Sequence, residues 1–425
     1  MLSQECMLIT ESKIDIHNIQ DTWNAAIAHQ KNGDYDTTAM ADIYRRMDPS
    51  LTMKDIANVF SAVYADNYWN GIKMDSSLLA ACMVKSVGYD PTLAQQYASS
   101  AMLQWRGILI RRLQSDQGKI PENDNCNCLD IVCNENTPLD AEQLITNWNN
   151  KFWNRSQTDK NYVYVRCQNL QFLGALTPKV KVFNADPGFN QRPSDWVQLE
   201  TVNTGDIEGV VNLINGSPGP MNINVRGVSE AFMFDPKTAK HSCLVAAITT
   251  DFFTKSDPLT ISGNWDAATW RRNNGASGWL NVDPIAVEST LKFNNLDGRP
   301  EKFAFEAHCN KVPEGTVVAL RCKDPQLSDI DSGDVKVSRG FQIVSTEGVV
   351  PANYKGDLEV LIKTPDNMPI PKESSVEVKM IWILDHNHDR YLDAADMLDF
   401  NEGARALRSV RVPMGSFTFM GSLKE

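Results

Sequence analysis

Apolar and polar residues follow two different periods along this chain, and the change of period divides it. Up to about residue 114, apolar residues recur every three or four positions, as on the buried face of a helix. From about residue 161, apolar and polar residues alternate, as in strands with one buried face. The pattern therefore predicts helices first and strands afterwards.

The helical part predicts five helices joined by short connectors. Thr52 is a suitable N-cap for the third, and Gly88 follows the fourth as a C-terminal glycine. The fifth begins with Asp90 as N-cap and Pro91 in its first turn, and is predicted to run to about Gln114. Together they predict a compact helical bundle over residues 1–120.

Residues 121–147 are predicted to form a linker because the stretch is polar and rich in Asn. It contains Cys126, Cys128 and Cys133. A structural zinc site needs four ligands at similar spacing, and no fourth ligand is evident nearby. A metal cluster, a disulfide and unpaired thiols all remain open for these residues.

Alternating segments predict a β-sandwich over residues 148–287. The predicted strands are Asn161–Asn169, Lys179–Phe183, Ile223–Val228, Glu230–Phe234 and His241–Ile248. His241, Ser242 and Cys243 fit either a nucleophilic site or a histidine packed where a strand begins. We favour the packed histidine, because these three residues belong to the pattern of the predicted strand.

Four segments of this region carry a resemblance to a known family: NYVYVRCQN, KVKVFNADPG, HSCLVAAI and WLNVDPI. They resemble the immunoglobulin-like, CARDB-type sandwich domains of bacterial secreted and surface proteins. The resemblance implies a spacer or binding module, since this fold hosts many unrelated functions.

An aromatic and basic stretch, Asp257 to Val282, overlaps the last of those segments and contains Trp265, Trp270 and Trp279 near Arg271 and Arg272. Exposed Trp and Arg side chains are typical of surfaces that bind carbohydrate or protein. The alternative is a long loop between strands, packed by its own aromatic side chains.

Further alternating segments predict a second sandwich over residues 288–425, with a loop and a short helix inserted before its last strands. The predicted strands are 289–296, 302–307, 316–322, 341–344, 358–363, 376–384, 410–412 and 417–419. The predicted fold class is multidomain α plus β, an N-terminal helical bundle followed by two antiparallel Ig-like β-sandwiches.

The inserted loop has the ligand spacing of a calcium site. Oxygen donors stand at positions 1, 3, 5, 7, 9 and 12 of a twelve-residue window, which is the spacing of an EF-hand loop. The predicted ligands are Asp385, Asn387, Asp389, the backbone carbonyl of Tyr391, Asp393 and Asp396. Leu392 is predicted to point into the core, and His386 and His388 to point outward.

The match departs from the EF-hand pattern in three ways. Arg390 stands where the family has glycine, and Asp396 replaces the longer glutamate. A predicted strand, not a helix, enters the loop, whereas a predicted helix leaves it at Ala394. The sequence therefore resembles a single EF-hand-like loop between a strand and a helix, holding one structural Ca²⁺. The alternative is an acidic, solvated turn without a metal.

The composition limits the classes of partner that we expect for this protein. The net charge is −12 and the isoelectric point is about 5.1, which disfavours nucleic acid and anionic membranes as partners. No apolar window is long enough to predict a transmembrane segment, and residues 1–19 lack the features of a secretory signal. The predicted location is extracellular or surface-associated without a recognisable signal peptide, with the cytoplasm as the alternative.

These features together favour a non-enzymatic binding or structural protein with tandem β-sandwich domains, one calcium ion, and a protein or carbohydrate ligand. One alternative is a secreted toxin or effector whose helical domain acts on membranes and whose sandwiches bind a receptor. Another is a carbohydrate-active hydrolase with sandwich accessory domains, although no carboxylate pair suited to glycoside hydrolysis stands out.

Overall fold

The fold is known from a computed structural model and is mainly β. The structure describes residues 76–77, 80–81, 84, 90–122, 127–154, 156, 159–171, 175–235, 243–250, 256–281, 288–338, 340–367, 371, 373–398 and 408–420. Four α-helices have defined bounds in these residues: α1 Pro91–Met102, α2 Ala141–Thr146, α3 Asn264–Asn273 and α4 Tyr391–Met397. No helix among them is long and apolar enough to cross a membrane.

Twenty strands make up most of the described chain. The first twelve are β1 Ile108–Leu109, β2 Ile131–Glu135, β3 Trp153–Asn154, β4 Asn161–Asn169, β5 Lys179–Ala185, β6 Gly188–Phe189, β7 Val197–Gln198, β8 Gly209–Asn212, β9 Arg226–Ser229, β10 Phe232–Phe234, β11 Cys243–Thr249 and β12 Ser277–Asn281. The others are β13 Glu288–Asn294, β14 Glu301–Asn310, β15 Val317–Cys322, β16 Val335–Lys336, β17 Phe341–Val350, β18 Lys355–Lys363, β19 Ser375–Asp385 and β20 Ser409–Met420.

The predicted fold class is wrong, because no helical bundle is present in the described residues. The first three predicted helices lie outside them, and the fourth lies mostly outside. The fifth begins as predicted, with Asp90 accepting a hydrogen bond from the backbone N–H of Leu93 at 3.0 Å, but it ends at Met102. Beyond it the chain is extended, and β1 pairs with β4.

Trp105 explains why the helical period misled over this stretch. Its indole N–H donates to the backbone carbonyl of Ile108 at 3.0 Å, and its ring lies against the backbone of Gly275, so that a Cβ on this glycine would meet the ring at 2.4 Å. Trp105 and Ile108 are therefore buried by distant strands and not by neighbouring helices. Apolar residues three positions apart can be buried by neighbouring helices or by distant strands, so this spacing does not distinguish the two.

The stretch 121–147, predicted to be a linker, carries both a strand and a helix. Residues 131–135 of β2 pair antiparallel with residues 161–165 of β4, and Ile131, Val132 and Cys133 are buried. Asp140 caps α2 by accepting from the backbone N–H of Gln143 at 2.6 Å. Polar residues on both sides of this short, buried strand led to the prediction of a linker.

The middle of the chain forms one sheet of eleven strands. Its main path is β12-β11-β5-β8-β9-β4-β2-β3, while β1 and β10 also pair with β4 and β7 pairs with β5. The β2–β3 pair is parallel. Among the described residues of 148–287, the strands other than β6 belong to this one sheet, which β1 and β2 complete, and not to the predicted pair of antiparallel Ig-like sheets. Strand β11 begins at Cys243, whereas His241 and Ser242 lie outside the described residues.

The C-terminal part is a β-sandwich, as predicted in outline. A five-stranded sheet has the order β16-β15-β18-β13-β6, and a four-stranded sheet has the order β17-β14-β19-β20. Phe293 of the first and Phe305 of the second meet edge to face, with ring centroids 4.9 Å apart. Burial of each such ring stabilises the fold by about 2–3 kcal/mol.

The sandwich shares its core with the large sheet. Phe189 of β6 lies in a parallel strand beside β13, with its ring 6.5 Å from that of Phe305. Trp196, Trp270 and Trp279 form a chain of edge-to-face contacts at 5.2 and 6.4 Å, within the same apolar cluster as the sandwich. The sandwich and the part of the large sheet that carries these tryptophans therefore pack around one continuous core.

Candidate functional site

The loop predicted to bind calcium lies at one end of the sandwich, between β19 and α4. The predicted strand 376–384 is confirmed by β19, which ends at Asp385. The alternating sequence keeps one face of this strand in the core, with Val376, Val378 and Met380 buried. The helix begins at Tyr391, three residues before the predicted start.

The early helix start changes which side chain anchors the loop. Tyr391 is buried, whereas Leu392 is 56 % exposed. The prediction that Leu392 points into the core is therefore wrong. A helix that begins at position 7 of the window turns position 8 toward solvent and position 7 toward the core, since successive helical residues are about 100° apart.

The structure places each predicted calcium ligand as follows. Asp385 is exposed, and its Oδ1 accepts from the backbone N–H of Asn387 at 2.9 Å. Asp389 is 65 % exposed and accepts from Arg299 Nη2 at 2.5 Å. Asp393 lies in the first turn of α4 and accepts from Arg390 Nη1 at 3.2 Å.

Two further predicted ligands lie on α4. Tyr391 begins the helix, and Asp396 follows Asp393 by three residues along it. In the part of the chain that the structure describes, no group of three or more His, Cys, Asp or Glu residues is arranged to hold a metal ion. The predicted ligands are thus neighbours on one loop and helix.

Arg299 is the residue of this site that the sequence reasoning missed. It comes just before β14, and its Nε donates to Glu301 Oε1 at 2.7 Å while its Nη2 donates to Asp389. These two carboxylates raise the pKa of the guanidinium. In return, Arg299 lowers the pKa of Asp389. No local pattern signals this contact, because the two residues are 90 positions apart.

Glu301 connects the loop to the core. Its carboxylate is only 4 % exposed, and its Oε2 accepts from the indole N–H of Trp382 at 2.8 Å. His388 lies over the same tryptophan with ring centroids 5.3 Å apart, and its Nε2 is 3.3 Å from Glu301 Oε1. His388 therefore packs against the sandwich, contrary to the prediction, whereas His386 is exposed as predicted.

The donor set suits a hard cation. Calcium prefers carboxylate, amide and carbonyl oxygens, and all six predicted ligands offer these. Two of the carboxylates face guanidinium groups, those of Arg299 and Arg390. Exposed ion pairs of this kind contribute about 0.2–1 kcal/mol each. Displacing both would cost under about 2 kcal/mol, which is less than the roughly 4 kcal/mol of a millimolar calcium site.

The two described cysteines of the 121–147 stretch lie inside the protein. Cys126 lies outside the described residues, while Cys128 and Cys133 are buried and form no disulfide. Burial raises the pKa of the Cys128 thiol to about 12. The thiolate is the nucleophilic form of cysteine, so this thiol is in its unreactive form near neutral pH.

The aromatic stretch is packed inside the protein. Trp270 and Trp279 are buried, and the guanidinium of Arg271 stacks over the Trp279 ring at 4.2 Å. The segment predicted as a loop or recognition surface contains helix α3 and strand β12, with Trp265 partly buried against the core. The packing alternative is confirmed for Trp270 and Trp279.

A buried charged cluster also escaped the sequence analysis. Asp130 receives two hydrogen bonds from the Arg111 guanidinium, both at 2.9 Å, and lies 3.1 Å from Arg166 Nε. Arg111 stacks over Trp148 at 4.1 Å. The position of Arg166 within the alternating strand β4 was the available signal, because an inward-facing arginine requires a buried carboxylate.

Comparison with known proteins adds no assignment. No family model matches the chain, and no curated protein matches it. One solved chain, described as "Complete structure of manganese lipoxygenase of Gaeumannomyces graminis and partial structure of zonadhesin of Komagataella pastoris", covers 68 % of this chain and 96 % of its own length. The identity is 10 % and the TM-score 0.13, so this similarity supports no conclusion about fold or function.

Proposed function

We propose that this chain is a non-enzymatic binding or structural protein whose 385–396 loop binds one calcium ion. The observation that carries the proposal is the position of this loop. It follows β19 of the sandwich directly, and its exposed carboxylates Asp385 and Asp389 lie on the surface beside the acidic first turn of α4.

The core around the loop supports a structural role for the ion. Trp382 and Tyr391 flank the loop and are both buried, so its two ends are fixed. Binding would then order only the intervening residues and would cost little conformational entropy. A calcium ion would replace Arg299 and Arg390 as the counterion of the loop carboxylates.

The expected affinity indicates where the protein works. A single loop that lacks the glycine and glutamate of the EF-hand pattern, and whose carboxylates are already paired, belongs with weak calcium sites of about 10⁻⁴–10⁻³ M. Such sites are filled in extracellular fluid. The proposal therefore includes work outside the cell or at its surface, with a protein or carbohydrate partner.

Isothermal titration with calcium tests the site. The wild type is compared with the double variant Asp385→Ala/Asp389→Ala. We expect binding near one equivalent in the wild type and none in the variant. The matched control is Asp331→Ala/Asp334→Ala, because these two aspartates also flank one arginine, Arg321, on an exposed turn.

The possible results separate clearly. Binding lost only in the loop variant supports the proposal. Binding lost equally in both variants would indicate general attraction of cations to an acidic protein. An absence of heat at millimolar calcium would overturn the site, leaving Arg299 as the permanent counterion of the loop.

A further inference from the structure

Strand β17 forms one edge of the four-stranded sheet and has the features of a pairing edge. It is ten residues long and pairs without any register shift with β14, from Phe341 opposite Asn310 to Val350 opposite Glu301. Among the described residues, no strand pairs with its other side. A long, regular edge is a template for another strand.

Apolar side chains occupy three of the five exposed positions of this strand, and Ser345 and Glu347 occupy the other two. Phe341, Ile343 and Val349 are 58 %, 46 % and 59 % exposed, and they alternate along the strand with buried or partly buried residues. Thr346 and Gly348 face inward, where Asp329 and Ile330 contact them. The contacts between residues 329–330 and β17 therefore lie on the inner face of the strand.

The opposite edge of the same sheet is protected. Strand β20 contains Pro413, which lacks a backbone N–H, and its pairing with β19 shifts register between Met380 and Ile381. Elements α3, α4 and β6 also contact β20. Strand β17 has neither proline nor lysine, the usual devices that block edge pairing. The two edges are thus built differently.

We propose that β17 pairs antiparallel with β17 of a second copy of this chain, around a two-fold axis at Ser345. In this register Phe341 lies opposite Val349 of the second copy, at both ends of the pair. Ile343 lies opposite Glu347, and Ser345 opposite itself. The result is a continuous eight-stranded sheet.

Apolar residues at both ends of the exposed face favour a second copy of the strand as the occupant, and the charge favours this register. Glu347 is the sole charged residue of β17, and it already pairs with Lys302 of its own copy. Centring the axis on residue 347 would place two glutamates face to face, which is unfavourable. With the axis at Ser345, no like charges face each other. The apolar residues at the two ends of the exposed face, Phe341 and Val349, then lie opposite each other. An edge whose two apolar ends meet each other about a two-fold axis suits an isologous dimer.

The interface is short. Nine paired residues span about 30 Å, and a strand pair alone lies at the low end of stable interface sizes. We therefore expect a dimer that dissociates on dilution. Pairing of the two edges does not require calcium, and the experiment is done in chelator.

Substitutions that place like or opposite charges at the two-fold axis test the proposal. Ser345→Lys places two lysines opposite each other in a dimer, and Ser345→Glu places two glutamates there. We expect sedimentation velocity over a range of concentrations to show monomer and dimer for the wild type, monomer for each variant alone, and dimer for their equimolar mixture. Thr290→Lys is the control, because Thr290 is an exposed strand residue opposite a glutamate, as Ser345 is.

Each result decides the proposal. Recovery of the dimer only in the mixture supports the pairing, since a folding defect in either variant would not be repaired by mixing. A wild type that remains monomeric at the highest concentration would overturn it. A dimer that persists in both Ser345 variants would also overturn it, because the contact would then lie elsewhere.

Discussion

Arg299 and Asp389 meet across the end of the sandwich, with Arg299 Nη2 2.5 Å from Asp389 Oδ1. The same guanidinium contacts the buried carboxylate of Glu301. Arg299 thus places a positive charge where the loop sequence predicts a calcium ion. In the proposed calcium site, the metal ion would compete with Arg299 for the same oxygen atoms of Asp389.

Removing the competing cation should strengthen calcium binding. For Arg299→Gln we expect the dissociation constant to fall by up to about fivefold, since an exposed ion pair is worth at most about 1 kcal/mol. Calorimetry on the variant and the wild type measures this change. Arg321→Gln, which removes a similar surface arginine beside Asp331 and Asp334, should leave the affinity unchanged. Weaker binding in Arg299→Gln would contradict the competition.

Loss of Asp130 should be among the most damaging single changes. Asp130→Asn leaves Arg111 and Arg166 buried without their counterion, and breaking such a cluster costs about 3–5 kcal/mol of unfolding free energy. Urea denaturation followed by tryptophan fluorescence gives the value. The control Asp357→Asn removes an exposed pair with Lys292 and should cost under about 1 kcal/mol. Equal effects at the two sites would refute the importance of burial.

The contact between Trp105 and Gly275 gives a third prediction. A methyl group at Gly275 would lie 2.4 Å from the indole, so Gly275→Ala should destabilise the fold by about 1–3 kcal/mol through overpacking. Gly298→Ala is the control, because no atom lies within 4 Å of the position that its Cβ would take and the change should be within about 0.5 kcal/mol. Thermal melts of both variants would decide, and an unchanged Gly275→Ala would show that Trp105 can move aside.

The thiol of Cys128 should resist alkylation in the native protein. Its pKa of about 12 lies far above that of an exposed cysteine, so at pH 8 almost no thiolate is present, and burial excludes the reagent as well. Peptide mapping after iodoacetamide treatment should find Cys128 modified only in denaturant. Rapid modification of the folded protein would show that this region opens readily.

Strand positions with clear alternation were predictable from the sequence. The predicted 161–169 segment matches β4, and the predicted 376–384 segment differs from β19 by one residue at each end. Both strands are rich in branched and aromatic side chains, which favour strand structure. In β19 the two-residue period matches its buried face, whereas β4 is buried on most of both faces. Local pattern and tertiary burial agree there, so the local pattern was sufficient.

The errors lie where distant contacts decide the local structure. Residues 103–114 have a helical spacing but are held by Gly275 and by β4. Helix α3 lies in a segment for which the sequence suggested a recognition surface or a packed loop between strands, because Trp and Arg side chains are typical of binding surfaces. The counterion of Asp389 comes from 90 positions earlier in the chain, which no spacing rule within the loop can supply.

The position of β6 has a consequence for synthesis and truncation. Gly188 and Phe189 occupy the edge of the sandwich beside β13, and a side chain at Gly188 would collide with the backbone of Lys292. This edge piece leaves the ribosome about a hundred residues before its neighbour, so the C-terminal sheet closes on a segment already made. A fragment that starts at residue 288 would lack it, exposing Phe293 and the rim of β13 to solvent. Expression of the sandwich alone therefore requires that residues 186–190 be supplied, either in the same chain or as an added peptide.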